Sequence, residues 1–102
     1  MTIKNTTLGT AATTIYTSSG ETALTTMYFC NTSPGELTFN IYAVPAGDTA
    51  GPSNIIYYAL QIAPTDTFVL DAERLILEDG DSIVANATIS GSIVSTVSSV
   101  SV

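Results

Sequence analysis

Alternation of apolar and polar residues, rather than a helical repeat, organises this chain. Leu37-Thr38-Phe39-Asn40-Ile41-Tyr42 places Leu37, Phe39 and Ile41 on one face of an extended segment. Comparable strands are predicted over 13–17, over 22–31 with Leu24, Met27 and Phe29, and over 55–62, 67–70 and 82–87. Residues 93–102, rich in Ser and Val, predict an edge strand with Val97, Val100 and Val102. A 3.6-residue period nowhere persists for three turns. Ser18-Ser19-Gly20-Glu21, Pro64-Thr65-Asp66 and Glu78-Asp79-Gly80-Asp81 read as turns. Thr32-Ser33-Pro34-Gly35-Glu36 reads as a hairpin loop, and 45–54 is the longest loop. Asp71-Ala72-Glu73-Arg74-Leu75 predicts a single helical turn capped by Asp71. The expected fold is all-β: an antiparallel β-sandwich, jelly-roll or Ig-like, of about 7–9 short strands. Residues 1–12 form an extended N-terminal arm or an edge strand, and 13–102 form the single sandwich domain.

Size agrees with one domain. A chain of 102 residues folds to roughly 5,500 Å² of surface from about 15,000 Å² unfolded, enough for one modest core. Charged residues are 11% of the chain, against about 25% in ordinary soluble domains. Thr, Val, Ile, Tyr and Phe, which suit a pleated surface, fill their place. Mean hydropathy is positive although no apolar run approaches the roughly 18 residues of a membrane span. Part of that surface is therefore expected to meet another protein. Lys4 and Arg74 stand against nine acidic residues, for a net charge of −7. So few cations release few counterions from nucleic acid and are repelled with the rest of the chain by an anionic membrane. Neither partner is expected. Met1-Thr2-Ile3-Lys4-Asn5 leads into threonines rather than an apolar signal segment, so synthesis in a cytoplasm is expected.

Candidate chemistry is sparse. The chain has no His, no Trp and one Cys, which removes ordinary zinc and copper sites. Cys30, in the apolar run Met27-Tyr28-Phe29-Cys30, is expected to be a small buried hydrophobe, since no His is present to activate a thiolate. The acidic run 78–81 lacks the spacing of an EF-hand calcium loop. No Gly-x-Ser-x-Gly elbow and no glycine-rich phosphate loop occur. Paired carboxylates such as Asp71, Glu73 and Glu78 have no sugar-enclosing cleft or aromatic platform beside them. No enzyme, catalytic residue, cofactor or metal is expected. Arg74 is expected to pair with Glu78 or Asp71 at helical spacing. Tyr57 and Tyr58, adjacent on one strand, point to opposite faces, so one of them faces outward as a candidate anchor.

Several segments carry a resemblance. Thr14-Ile15-Tyr16-Thr17, 24–32, 39–45, Asn54-Ile55-Ile56-Tyr57 and 75–83 together resemble the small β-sandwich virion proteins of tailed bacteriophages, cyanophages especially. That group includes capsid cement (decoration) proteins. The resemblance covers roughly Ile15 to Ala87 and rests on structural motifs of modest specificity. It implies a cement protein that binds the outer surface of a phage head, bridges major capsid protein subunits and stabilises the shell. High mean hydropathy with so few charges favours self-association, as a dimer or trimer. Contact residues are then expected on the N-terminal segment (Ile3, Lys4, Asn5, Leu8) and on the long loop (Pro45, Asp48, Pro52, Asn54). Tyr57, Tyr58, Val97 and Val100 complete the expected set. The same motifs fit two other roles, a neck, tail, baseplate or fibre component and a receptor- or carbohydrate-binding sandwich.

Overall fold

The computed structural model describes residues 2–89 and 91–101 and, among these, the side chains of all but Thr2, residues 71–75 and Ser101. Eight strands follow one another: β1 (Thr2–Thr7), β2 (Thr13–Thr17), β3 (Thr22–Asn31), β4 (Leu37–Val44), β5 (Ile55–Ile62), β6 (Thr67–Leu77), β7 (Ser82–Ala87) and β8 (Ile93–Ser101). They form two antiparallel four-stranded sheets, sheet A in the order β1-β8-β3-β6 and sheet B in the order β2-β7-β4-β5. The pairs β1·β8, β2·β7, β3·β6 and β4·β5 are those of one long antiparallel hairpin with its apex in the 45–54 loop. Rolled up so that successive strands, β4 and β5 excepted, alternate between sheets, that hairpin is a jelly-roll β-sandwich. Its Cα radius of gyration is 12.8 Å, against about 13 Å for a compact single domain of this length.

The topology corrects four expectations. The 32–36 segment is an arch between sheets rather than a hairpin, because β3 and β4 lie in different sheets. Among the described strands, β4–β5 alone joins sheet neighbours. β6 runs unbroken through 71–75, where a helical turn was expected. A register slip accounts for the misleading pattern: Leu24 faces Leu75 and Thr26 faces Asp71, so β6 bulges there and its alternation fails. The helical spacing behind the expected Arg74 ion pair is gone, and the 71–75 side chains lie outside the described residues. β8 is interior, between β1 and β3, rather than an edge. Cys30 is half-buried on the outer row of β3, not in the core, because Phe29 and Asn31 take the inward positions.

Inward side chains fill the space between the sheets. Phe29 of sheet A stacks on Phe39 of sheet B at 4.9 Å between ring centres, and Phe68 meets both Phe39 and Tyr57 edge-on. Each fully buried Phe contributes about 1.5–3 kcal/mol. Ile15, Leu24, Met27, Ile41, Ile83, Ile93 and Val97 complete the core. Leu8 and Val97, expected as surface contacts, are core residues at 1% exposure, so neither is available to a partner.

One buried amide holds the arch. The Asn31 side chain is fully buried, and its Nδ2 donates to the carbonyls of Gly35, Ile62 and Ala63 at 2.9–3.3 Å. Its Oδ1 accepts from the N–H and hydroxyl of Ser33. Among the described residues no buried side-chain polar atom lacks a partner.

Candidate functional site

The turn most suggestive of chemistry is used structurally. Antiparallel pairing brings turns 18–21 and 78–81 and the 45–54 loop to one end of the sandwich. There Asp79 Oδ1 accepts from Gly20 N–H at 2.8 Å, while Asp81 accepts from Ala46 N–H at 2.9 Å and Glu78 N–H at 3.0 Å. Gly80 N–H donates to Ser18 O and Ser18 N–H to Asp81 O. The carboxylates thus clasp three loops to one another. Among the described residues no group of three or more His, Cys, Asp or Glu side chains is placed to hold a metal ion. A shallow cleft of about 160 Å³ lies beside the clasp, lined by Ala43, Val44, Pro45, Ile76, Leu77 and Asp81. Both Asp81 oxygens are already occupied by main-chain donors, so the cleft offers no free acid.

The outer face of sheet A has a different character. Ile93, Ser95, Val97 and Ser99 of β8 are buried, which turns Val94, Thr96, Ser98 and Val100 outward. Register carries that parity across the sheet. Asn5, Thr96, Tyr28 and Val69 form one row, and Thr7, Val94, Cys30 and Thr67 the next. Ile3 at 67%, Tyr28 at 42%, Val69 at 54% and Ile76 at 59% exposure lie on this face. No charged side chain lies among its described residues. Hydroxyls knit the rows: Thr96 donates to Asn5 Oδ1 at 2.8 Å, and Thr25 donates to Ser98. The face is neutral among its described residues and backed by the buried core. It can bind a complementary surface; its one thiol, Cys30, has no described cation or base on the face beside it.

The residues expected as contacts are not brought together. Ile3, Lys4 and Asn5 are exposed on edge strand β1. Tyr57 and Tyr58 sit on edge strand β5, on the opposite flank, beside β6. Tyr57 packs inward against the core and Tyr58 is 79% exposed, as their opposite facing requires. Pro45, Asp48 and Pro52 are exposed at the clasped end. Asn54 is half-buried and closes its own loop, accepting from Gly51 N–H and donating to Thr49 O. Val100 is half-buried on the outer face of β8. Tyr28, Val69 and Ile76 were not expected as contacts. The signal for them lies in runs such as Met27-Tyr28-Phe29-Cys30, which are apolar on both strand faces and so must leave one apolar row outside.

Comparison with protein-family models, with curated proteins and with solved structures finds no match for this chain.

Proposed function

We propose that this chain is a virion structural protein, a capsid cement protein that binds the outer surface of a tailed-phage head and bridges major capsid protein subunits. The observation that carries the reading is the outer face of sheet A. It is broad and without charge among its described residues, and it is lined by hydroxyls with Ile3, Tyr28, Val69 and Ile76 exposed between them. Such a face binds by shape and apolar contact, and a shell lattice multiplies individually weak contacts into avidity. Jelly rolls serve as capsid and as lectin domains, so the fold supports the reading without selecting it. The absence of Trp and the separation of Tyr28 from Tyr58 favour protein docking over a stacked sugar. No catalytic step, cofactor, nucleic acid or membrane enters the proposal.

The test is quantitative mass spectrometry of purified particles of the phage that encodes the chain, read as copies per major capsid protein. A stoichiometric ratio, with hundreds of copies per particle on the order expected for an avid lattice, is the expected result. A few copies per particle moves the protein to the neck, tail, baseplate or fibre. Absence from the particle overturns the virion reading and leaves the recognition module.

A further inference from the structure

Sheet edges display main-chain N–H and C=O groups without partners, and folds blunt them with bulges, charges or short strands. Three of the four edges here are blunted. β2 has five residues and a register slip between Thr14 and Tyr16. β5 slips twice against β4 and holds Ala59 at φ 52°. β6 bulges opposite β3 and carries Asp71, Glu73 and Arg74 in its sequence. β1 differs: its six residues pair with β8 in one unbroken register, and its single charge, Lys4, lies on the opposite face from Ile3, Asn5 and Thr7.

The phase of the β1 ladder fixes which groups are free. Leu8, just past β1, donates to Ile93 O at 2.8 Å, continuing the register that sets Thr7 opposite Val94. Bonded pairs alternate along an antiparallel ladder, so the even-numbered residues of β1 bond toward β8. The N–H and C=O of Ile3, Asn5 and Thr7 therefore point away from the sheet. All three side chains are exposed on the outer face.

From this edge we infer that two copies of the chain join β1 to β1, antiparallel about a two-fold axis, so that both A sheets become one continuous sheet. An axis perpendicular to the sheet keeps the two outer faces on one side, so each residue opposes a residue of its own parity. The register centred on Asn5 sets Ile3 against Thr7, Lys4 against Thr6 and Asn5 against its own copy. Ile3, Asn5 and Thr7 then each exchange both main-chain hydrogen bonds across the axis. The neighbouring register centred on Lys4 sets two ammonium groups face to face and is disfavoured. Charge selects the same edge. Every strand but β6 is free of acidic residues, the loops and β6 holding all nine, and of the acid-free edges β1, β2 and β5 only β1 carries a cation, Lys4. Two copies of net charge −7 meet there with the least repulsion. Dimerisation through β1 does not depend on the virion reading, because the purified chain alone tests it.

The experiment is sedimentation equilibrium of the full chain and two variants, with far-UV circular dichroism on each. Asn5→Pro removes an N–H that β8 does not use, at an edge position where proline is tolerated. Asn5→Asp keeps the acceptor for the Thr96 hydroxyl but sets two carboxylates opposite one another across the axis. The wild type is expected at twice the chain mass of 10.6 kDa, and Asn5→Pro at the chain mass with an unchanged β spectrum. For Asn5→Asp the dissociation constant is expected to rise about fivefold at low salt and to recover near 1 M salt, where like charges are screened. If the proline variant fails to fold, the salt dependence of Asn5→Asp decides. A wild type that stays monomeric at every concentration, a trimer, or a dimer that folded Asn5→Pro leaves intact overturns the inference.

Discussion

Asn31 and Gly80 show how single residues hold loops that strands cannot. Asn31 answers three carbonyls and two donors from a fully buried position, tying the 32–36 arch to the end of β5. Asn31→Ala removes the amide donor from the buried Ile62 carbonyl, while Gly35 O keeps Ser33 Oγ and Ala63 O keeps Asp66 N–H, and is expected to destabilise by about 2 kcal/mol in urea unfolding. Thr32→Ala, which removes an exposed bond to Ser92 O, is expected to stay within about 0.5 kcal/mol. Gly80 sits at φ 88°, and a Cβ there would meet Ala46 Cβ at 2.9 Å. Gly20 sits at φ 75° with open space around it. Gly20→Ala therefore adds only left-handed strain of about 1 kcal/mol. Gly80→Ala adds a clash with the neighbouring loop and is expected to reach about 2–3 kcal/mol. Equal losses in the two unfolding curves would show that the loops separate easily and that the clasp is weak.

At the scale of elements, alternation is the readable part of the sequence and bulges are the unreadable part. β2, β3, β5 and β7 have the bounds their apolar patterns predict, because turn residues mark their ends even where β2, β3 and β5 slip in register within. The pattern breaks β6 where its bulge interrupts that row. The arch at 32–36 looks like a hairpin because Pro and Gly mark a reversal without saying which sheet receives the next strand. Long-range pairing decides that, and no local pattern encodes it. The same limit governs the site. Exposed Tyr28 and Val69 are adjacent only because β3 and β6 pair, while Leu8 and Val97 look like surface residues until the sandwich closes over them. Ala59 shows a bulge under strain: its φ of 52° is unfavourable for a residue with a Cβ, and Asn40 Oδ1 stabilises it by accepting its N–H at 2.7 Å. Glycine relieves that strain, so Ala59→Gly is expected to stabilise by about 0.5–1 kcal/mol, reversing the usual sign for this substitution. A lower urea midpoint for the variant would mean that Ala59 packing outweighs the strain.

For the whole molecule, charge placement matters more than charge number. Glu21, Asp48, Glu78, Asp79 and Asp81 gather on the three loops at one end of a body measuring 38 × 27 × 19 Å. The three loops contain no Lys or Arg, so among the described side chains of this end repulsion has no cation to offset it. Two effects compete there. The Asp79 and Asp81 bonds to main-chain N–H groups hold the loops together, and salt weakens them little because they are short and directional. Repulsion among the five carboxylates acts over longer distances and is screened. The Debye length falls from about 30 Å at 0.01 M to about 8 Å at 0.15 M, from wider than this end to narrower than it. Added sodium chloride over that range is therefore expected to stabilise the fold by about 1 kcal/mol, read as a rise in Tm of about 5 °C for a domain of this size. A divalent salt at matched ionic strength is expected to give the same rise, since the clasp leaves no set of carboxylates free to chelate. A much larger rise with the divalent cation would mean that the loops reopen to bind it. A fall in Tm with sodium chloride would mean that the ion–dipole bonds of the clasp, rather than repulsion, dominate this end of the molecule.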